Sequence, residues 1–252
     1  MSETVLSGAP QGTPMPDPAD KLTMLLAHAD DNMVLAQRLG EWISNAPELE
    51  IDIALGNTAL DHLGVARALY TYAAEVEGEG RDEDDLAMFR TEREYTNLLL
   101  VEQPNGDFGT TMARQVLFDA YQLELWDHLS RSDDARLSGI AAKAHKEASY
   151  HFRFSSGWMV RLGDGTEESH RRAQAGLDHL WRYTDEMFQA EAGRFRESWE
   201  RRLGDVLIEA KLTVPADPFQ RGGGRSGFHT EHLGPLLAEM QWMQRSYPGL
   251  EW

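Results

Sequence analysis

The chain has 252 residues, with 24 Lys and Arg against 42 Asp and Glu, a formal net charge of −18, and a 41% apolar share that includes seven Trp. That much apolar mass builds a core and excludes a wholly disordered chain, while the acidity makes nucleic acid and anionic membrane surfaces poor partners. The absence of cysteine excludes disulfides, thiolate nucleophiles, cysteine zinc sites and cysteine-held iron–sulfur clusters.

Residues 1–20 are rich in Pro, Gly, Ser and Thr and lack the basic and apolar regions of a secretory signal. They read as a flexible tail, and the expected compartment is the cytoplasm. No run approaches the roughly 18 to 20 uncharged apolar residues of a membrane span. From there the dominant period is that of a helix. Leu22, Leu25, Leu26, Ala29, Met33, Ala36 and Ile43 predict a first helix over 21–45 with Asp20 as its cap. Ile51, Leu55, Leu60, Leu63, Ala66, Leu69 and Tyr70 predict a second over 48–77, ended by Gly78 and Gly80.

Residues 81–93 are charged and suit a short surface helix. The apolar run 98–101 precedes a turn signal, Pro104-Asn105-Gly106. A third long helix is predicted over 108–130 through Met112, Val116, Ala120, Leu123 and Trp126, and a fourth over 134–162, capped at Asp133-Asp134. A fifth starts near Thr166 and runs through Leu177, Trp181 and Phe188. A sixth covers 194–211, and after a Gly222-Gly223-Gly224 loop a last helix covers 230–246. The chain therefore reads as all-α, a long-helix bundle with extra C-terminal helices, in one domain over 21–252.

Long bundles with inward carboxylates raise the question of a di-iron centre, which needs a Glu on each of two helices and Glu-x-x-His on two others. Residues i and i+3 share a helix face, so such a pair grips one metal. Of the nine histidines only His170 has a Glu three positions earlier, Glu167, and that pair sits at a solvated helix start. Carboxylates nonetheless recur at mid-helix positions, Asp31, Asp61, Asp119 and Glu147, with His151 beside Glu147 on an apolar stripe. Three positions after Asp61 stands Gly64, and three after Glu147 stands Tyr150, so the pattern is broken. A mid-helix Asp more often lies on a solvated face, and Glu147 with His151 also reads as an ordinary i,i+4 pair.

Several longer motifs carry a resemblance. They are Leu39-Gly40-Glu41-Trp42, Ala46-Pro47-Glu48-Leu49-Glu50-Ile51-Asp52, the stretch from Asn97 to Gly106, Lys146-Glu147-Ala148-Ser149-Tyr150-His151, and His229-Thr230-Glu231-His232-Leu233-Gly234-Pro235. With these the chain resembles the non-catalytic C subunits of bacterial phenylacetyl-CoA epoxidase (phenylacetate-CoA oxygenase) over about 21–252. The resemblance implies a ferritin-like bundle that has lost its metal and supports a catalytic di-iron A subunit of the same fold. The complex epoxidises the aromatic ring of phenylacetyl-CoA in phenylacetate degradation, with electrons from NADPH through a separate reductase. It also implies no cofactor in this chain, other epoxidase subunits as partners, and self-association as a further option. Asp31, Asp61, Asp119, Glu147 and His151 are then vestigial di-iron positions, with no catalytic residues expected. Lys143, four residues before Glu147, is the candidate for replacing the lost metal charge. Two alternatives remain: an active di-iron or manganese oxygenase with these residues as atypical ligands, and a non-enzymatic helical interaction protein.

Overall fold

The computed structural model describes residues 18–216 and 219–249. Among them there is no strand, and eight α-helices alternate with short 3₁₀ turns. α1 (Pro18–Gly40) and α2 (Leu49–Glu77) pack along each other, as do α4 (Phe108–Leu129) and α5 (Ala135–Gly163). α2 touches α5, and side chains of α1 meet α4, as where Gln122 Nε2 donates to Asn32 Oδ1 at 3.3 Å. These four long helices form the bundle. α6 (Glu167–Leu180) and α7 (Arg196–Glu209) pack against α4 and α5, whereas α8 (Leu233–Ser246) lies against α1 and the short α3 (Glu83–Met88). The one long crossover, between α2 and α4, is the connection pattern of ferritin-like folds.

α4 is the centre of the molecule, with 17 of its 22 residues buried. It therefore has no solvated face, and Arg114, Gln115, Asp119 and Gln122 are enclosed with its apolar residues. Its neighbours fit closely because small residues meet it. A Cβ on Gly176 of α6 would lie 2.8 Å from Thr110 Cα, and Trp199 of α7 donates from Nε1 to the Leu117 carbonyl at 2.9 Å.

Helix boundaries follow local chemistry. α1 begins at Pro18, where a missing N–H costs nothing, so the structured chain extends into the segment read as tail. Residues 1–17 lie outside the described residues. α1 stops at Gly40, short of the expected 45, because Trp42 turns inward and donates to Thr111 Oγ1 at 3.1 Å. Gly78 ends α2 in the left-handed conformation at φ 70°. The charged segment forms α3, with a reciprocal cap between Asp82 and Asp85. Asp134 caps α5 through the Arg136 and Leu137 amides.

The fifth predicted helix is shorter than expected. α6 ends at Leu180, and 3₁₀ turns (Trp181–Tyr183, Asp185–Phe188, Ala190–Phe195) replace the predicted continuation. Glu186 accounts for the break: its buried carboxylate accepts from the Leu99 amide at 2.9 Å and the Gly223 amide at 2.9 Å, a tertiary pull no period encodes. The run Leu98, Leu99, Leu100 and Val101 is fully enclosed, and a buried loop must find partners for its amides. Carboxylates supply several: Asp31 accepts from Leu98, Glu186 from Leu99 and, just before the run, Asp30 from Thr96, while Val101 donates to the Leu98 carbonyl.

Candidate functional site

Of the five positions expected to be vestigial, Asp61, Asp119 and Glu147 gather around His151, and Asp31 stands apart. Asp31 is buried on α1, and both its oxygens are occupied. Oδ1 accepts from the Leu98 amide at 2.8 Å and from Arg225 Nη1 at 2.9 Å, and Oδ2 from Arg225 Nη2 at 2.6 Å. Burial alone would raise its pKa, but the Arg225 guanidinium and the neighbouring His28 together outweigh burial and hold the carboxyl below its ordinary value. Arg225 also donates to the Ala27 and Thr96 carbonyls, so this guanidinium, from the C-terminal segment, neutralises Asp31.

Lys143, expected to fill that role, does not enter the core. Its side chain is 71% exposed, and its ammonium stands 3.5 Å from Glu147 Oε1 as an i,i+4 pair on the outside of α5. Solvation of the lysine head at the helix surface is cheaper than burying it. Glu147 is only partly buried, and burial raises its pKa, with Lys143 offsetting part of the rise. Asp61, expected to face inward, has a side chain 39% exposed. It sits at the rim and accepts from His151 Nε2 at 3.0 Å.

Asp119 and His151 do lie in the core, and a third residue joins them. His62 of α2, Asp119 of α4 and His151 of α5 are all buried, and one potential ligand atom from each lies within 4.8 Å of the other two. Glu-x-x-His spacing does not single out His62, because no carboxylate precedes it by three. The signal lies in the residues around it, Ala59, Val65 and Ala66 at i−3, i+3 and i+4, which put its ring on the buried face. The His62 and His151 rings are 5.0 Å apart between centroids. Burial lowers the His62 pKa well below the ordinary value, with His151 and Arg114 adding to the effect, so this ring is neutral. Burial also pushes Asp119 up to about 6, against the pull of His151 and of Ser155, whose Oγ donates to Asp119 Oδ2 at 2.7 Å.

This set does not fit two irons. A dinuclear centre needs bridging carboxylates and about six protein ligands from four helices. Here Asp31 is consumed by Arg225, Asp61 and Glu147 lie at the rim, and three buried groups remain.

A second buried network joins the C-terminal segment to the bundle. Glu102 Oε1 accepts from the Thr230 amide and hydroxyl, both at 2.7 Å, and Oε2 accepts from Asn97 Nδ2 at 2.9 Å. His229 meets Glu102 Oε2 through Nδ1 at 2.8 Å and the Tyr95 carbonyl through Nε2 at 2.8 Å. Both partners are acceptors, so the site favours protons on both ring nitrogens, the imidazolium form of His229. Burial lowers its pKa, but the bonds to Glu102 and the Tyr95 carbonyl win and raise it. Gly224 has no room for a side chain, since a Cβ would lie 2.1 Å from the Asn97 carbonyl oxygen.

Fold and site together define a ferritin-like helical protein in which the core carboxylates are mostly bound into structural networks. The family model described as phenylacetic acid catabolic protein matches residues 8–252, and the chain belongs to this family. A relative, the C subunit of the 1,2-phenylacetyl-CoA epoxidase of Escherichia coli (strain K12), is 50% identical over 248 residues, covering 92% of this chain and 100% of the relative.

Proposed function

We propose that this chain is the structural, non-catalytic subunit of a phenylacetyl-CoA ring 1,2-epoxidase in phenylacetate degradation, and that it supports a catalytic di-iron subunit of the same fold. The observation that carries this reading is the capture of Asp31 by Arg225. A core carboxylate closed by a guanidinium cannot ligate iron, and without it the remaining buried set is too small for a dinuclear, oxygen-activating centre. Oxygen chemistry and the electrons from NADPH then belong to the partner and its reductase.

The outer face of α2 supports the partner half of the proposal. Leu49, Ile53 and Leu60 are 71%, 55% and 65% exposed, and at helical spacing they line up with Leu63, Gly56 and Gly64. A Cβ on either glycine would meet nothing within 4 Å. A stripe of protruding apolar side chains notched by two glycines suits the helix of another subunit, and a stable heteromeric interface covers it.

Co-expression with the di-iron subunit tests the reading. One co-eluting species is expected, with iron following the partner and ring epoxidation requiring both chains. Separate elution at micromolar concentration, or two irons per chain in this subunit purified alone, would reverse it.

A further inference from the structure

We infer that His62, Asp119 and His151 form a mononuclear site for a divalent transition-metal ion of the zinc class. The inference rests on hydrogen-bond logic at three buried side chains. Asn32 Nδ2 donates to the His28 carbonyl at 2.8 Å, which orients its amide and makes Oδ1 the acceptor. His62 Nδ1, 2.7 Å from that oxygen, therefore carries the proton, and the His62 Nε2 lone pair is left free. Asp61 Oδ2 accepts from His151 Nε2–H, which leaves Nδ1 as the remaining ligand atom of that ring, and a bound metal ion displaces any proton it carries. Ser155 occupies Asp119 Oδ2 and leaves Oδ1.

Those three atoms, His62 Nε2, His151 Nδ1 and Asp119 Oδ1, are all buried and all lack a hydrogen-bond partner. Three buried ligand atoms without a hydrogen-bond partner are costly in a core, and a cation satisfies all three once it has displaced any proton on His151 Nδ1. The outer shell is already built. Metal-bound histidines donate their second N–H to a carboxylate or carbonyl oxygen, which sets the tautomer and ring orientation, as Asn32 and Asp61 do here.

The donor set selects the ion. Two imidazoles and a carboxylate suit zinc, leave a fourth position for water, and are a poor match for calcium or magnesium, which take oxygen. With zinc–nitrogen bonds of about 2.0–2.1 Å, tetrahedral ligands stand about 3.4 Å apart. One ligand atom of each residue lies within 4.8 Å of the other two, so a modest closure brings the three residues onto one ion. Charge also balances: a dication meets the Asp119 carboxylate inside and the Asp61 carboxylate at the rim. The site differs from a di-iron centre in nuclearity and ligands, and it leaves the structural role of the subunit intact.

The test is zinc titration of the purified full-length chain, first stripped with chelator and exchanged into chelator-free buffer. Calorimetry, elemental analysis after gel filtration and thermal melting are the readouts. One zinc per chain and a rise in Tm are expected. His62→Gln and His151→Gln should each weaken binding by 100-fold or more, and the rim variant Asp61→Asn by about 10- to 100-fold. His179→Gln, on the outside of α6, should bind as the parent does. Zinc retained equally by a His62→Gln, His151→Gln double variant would show surface chelation and overturn the assignment. No retained zinc would mean that the three acceptors share water only, which also overturns it. If the histidine variants fail to fold, cobalt in the unaltered chain decides. Intense visible bands of four-coordinate cobalt support the site, and weak six-coordinate bands refute it.

Discussion

At the scale of single residues, the core acids act as partners for backbone and arginine. Asp30 holds Arg90 and the Thr96 amide, Asp31 holds Arg225 and the Leu98 amide, and Glu102 holds the Thr230 amide. Breaking one partner of a buried pair is costly because the other charge is left uncompensated. Arg225→Ala should therefore lower unfolding free energy by about 3–5 kcal/mol in urea titration, with little change in helix content. The depressed Asp31 pKa gives the pH sign. Its contribution is present above the ordinary carboxylate range and is lost as pH falls through the folded value. His229 has the opposite sign. Its pKa is raised on folding, so its stabilisation is complete below the ordinary histidine value and fades as pH rises through the folded one. Amide exchange over 225–241 should accelerate as pH rises beyond the ordinary histidine value, more than its intrinsic pH dependence requires, and His229→Gln should flatten that excess.

Among the elements, close approach and exposed stripes matter more than propensity. Gly176 sits inside α6, where alanine would ordinarily gain about 1 kcal/mol of helix stability. The contact with Thr110 Cα leaves no space for the methyl group, so Gly176→Ala should instead destabilise by about 1–3 kcal/mol, read as a lower Tm. α2 is apolar on two sides: Leu55, Ala66, Leu69 and Tyr70 face the core, while Leu49, Ile53 and Leu60 face out. A helix with that distribution packs one side into its own bundle and, in the proposed complex, offers the other to a partner. Leu60→Asp should change the unfolding stability of the isolated chain by no more than about 1 kcal/mol and, on the proposed pairing, abolish co-elution with the di-iron subunit. A large loss of stability in the isolated chain would assign Leu60 to the core.

For the molecule as a whole, the separation is between what periodicity carries and what only contact decides. The all-α class, the long helices, the Gly78 and Asp134 caps and the broken Glu-x-x-His pattern were legible, because period, capping and spacing are local properties. No described helix is long and apolar enough to cross a membrane, in keeping with the absence of long apolar runs. Which carboxylates face inward was not legible. Asp61 and Glu147 share helical stripes with core residues, yet a rotation of a few tens of degrees puts them at the rim and keeps Asp119 enclosed. Lys143 and Arg225 illustrate the same limit. The lysine lies near Glu147 in sequence and stays in solvent, whereas the arginine that neutralises Asp31 arrives from 194 residues away. His62, Asp119 and His151 come from three helices and meet only once the bundle closes. A helical period records which side of a helix is apolar; it does not record which distant side chain will satisfy a buried charge, and that pairing is settled by the packing of the folded chain.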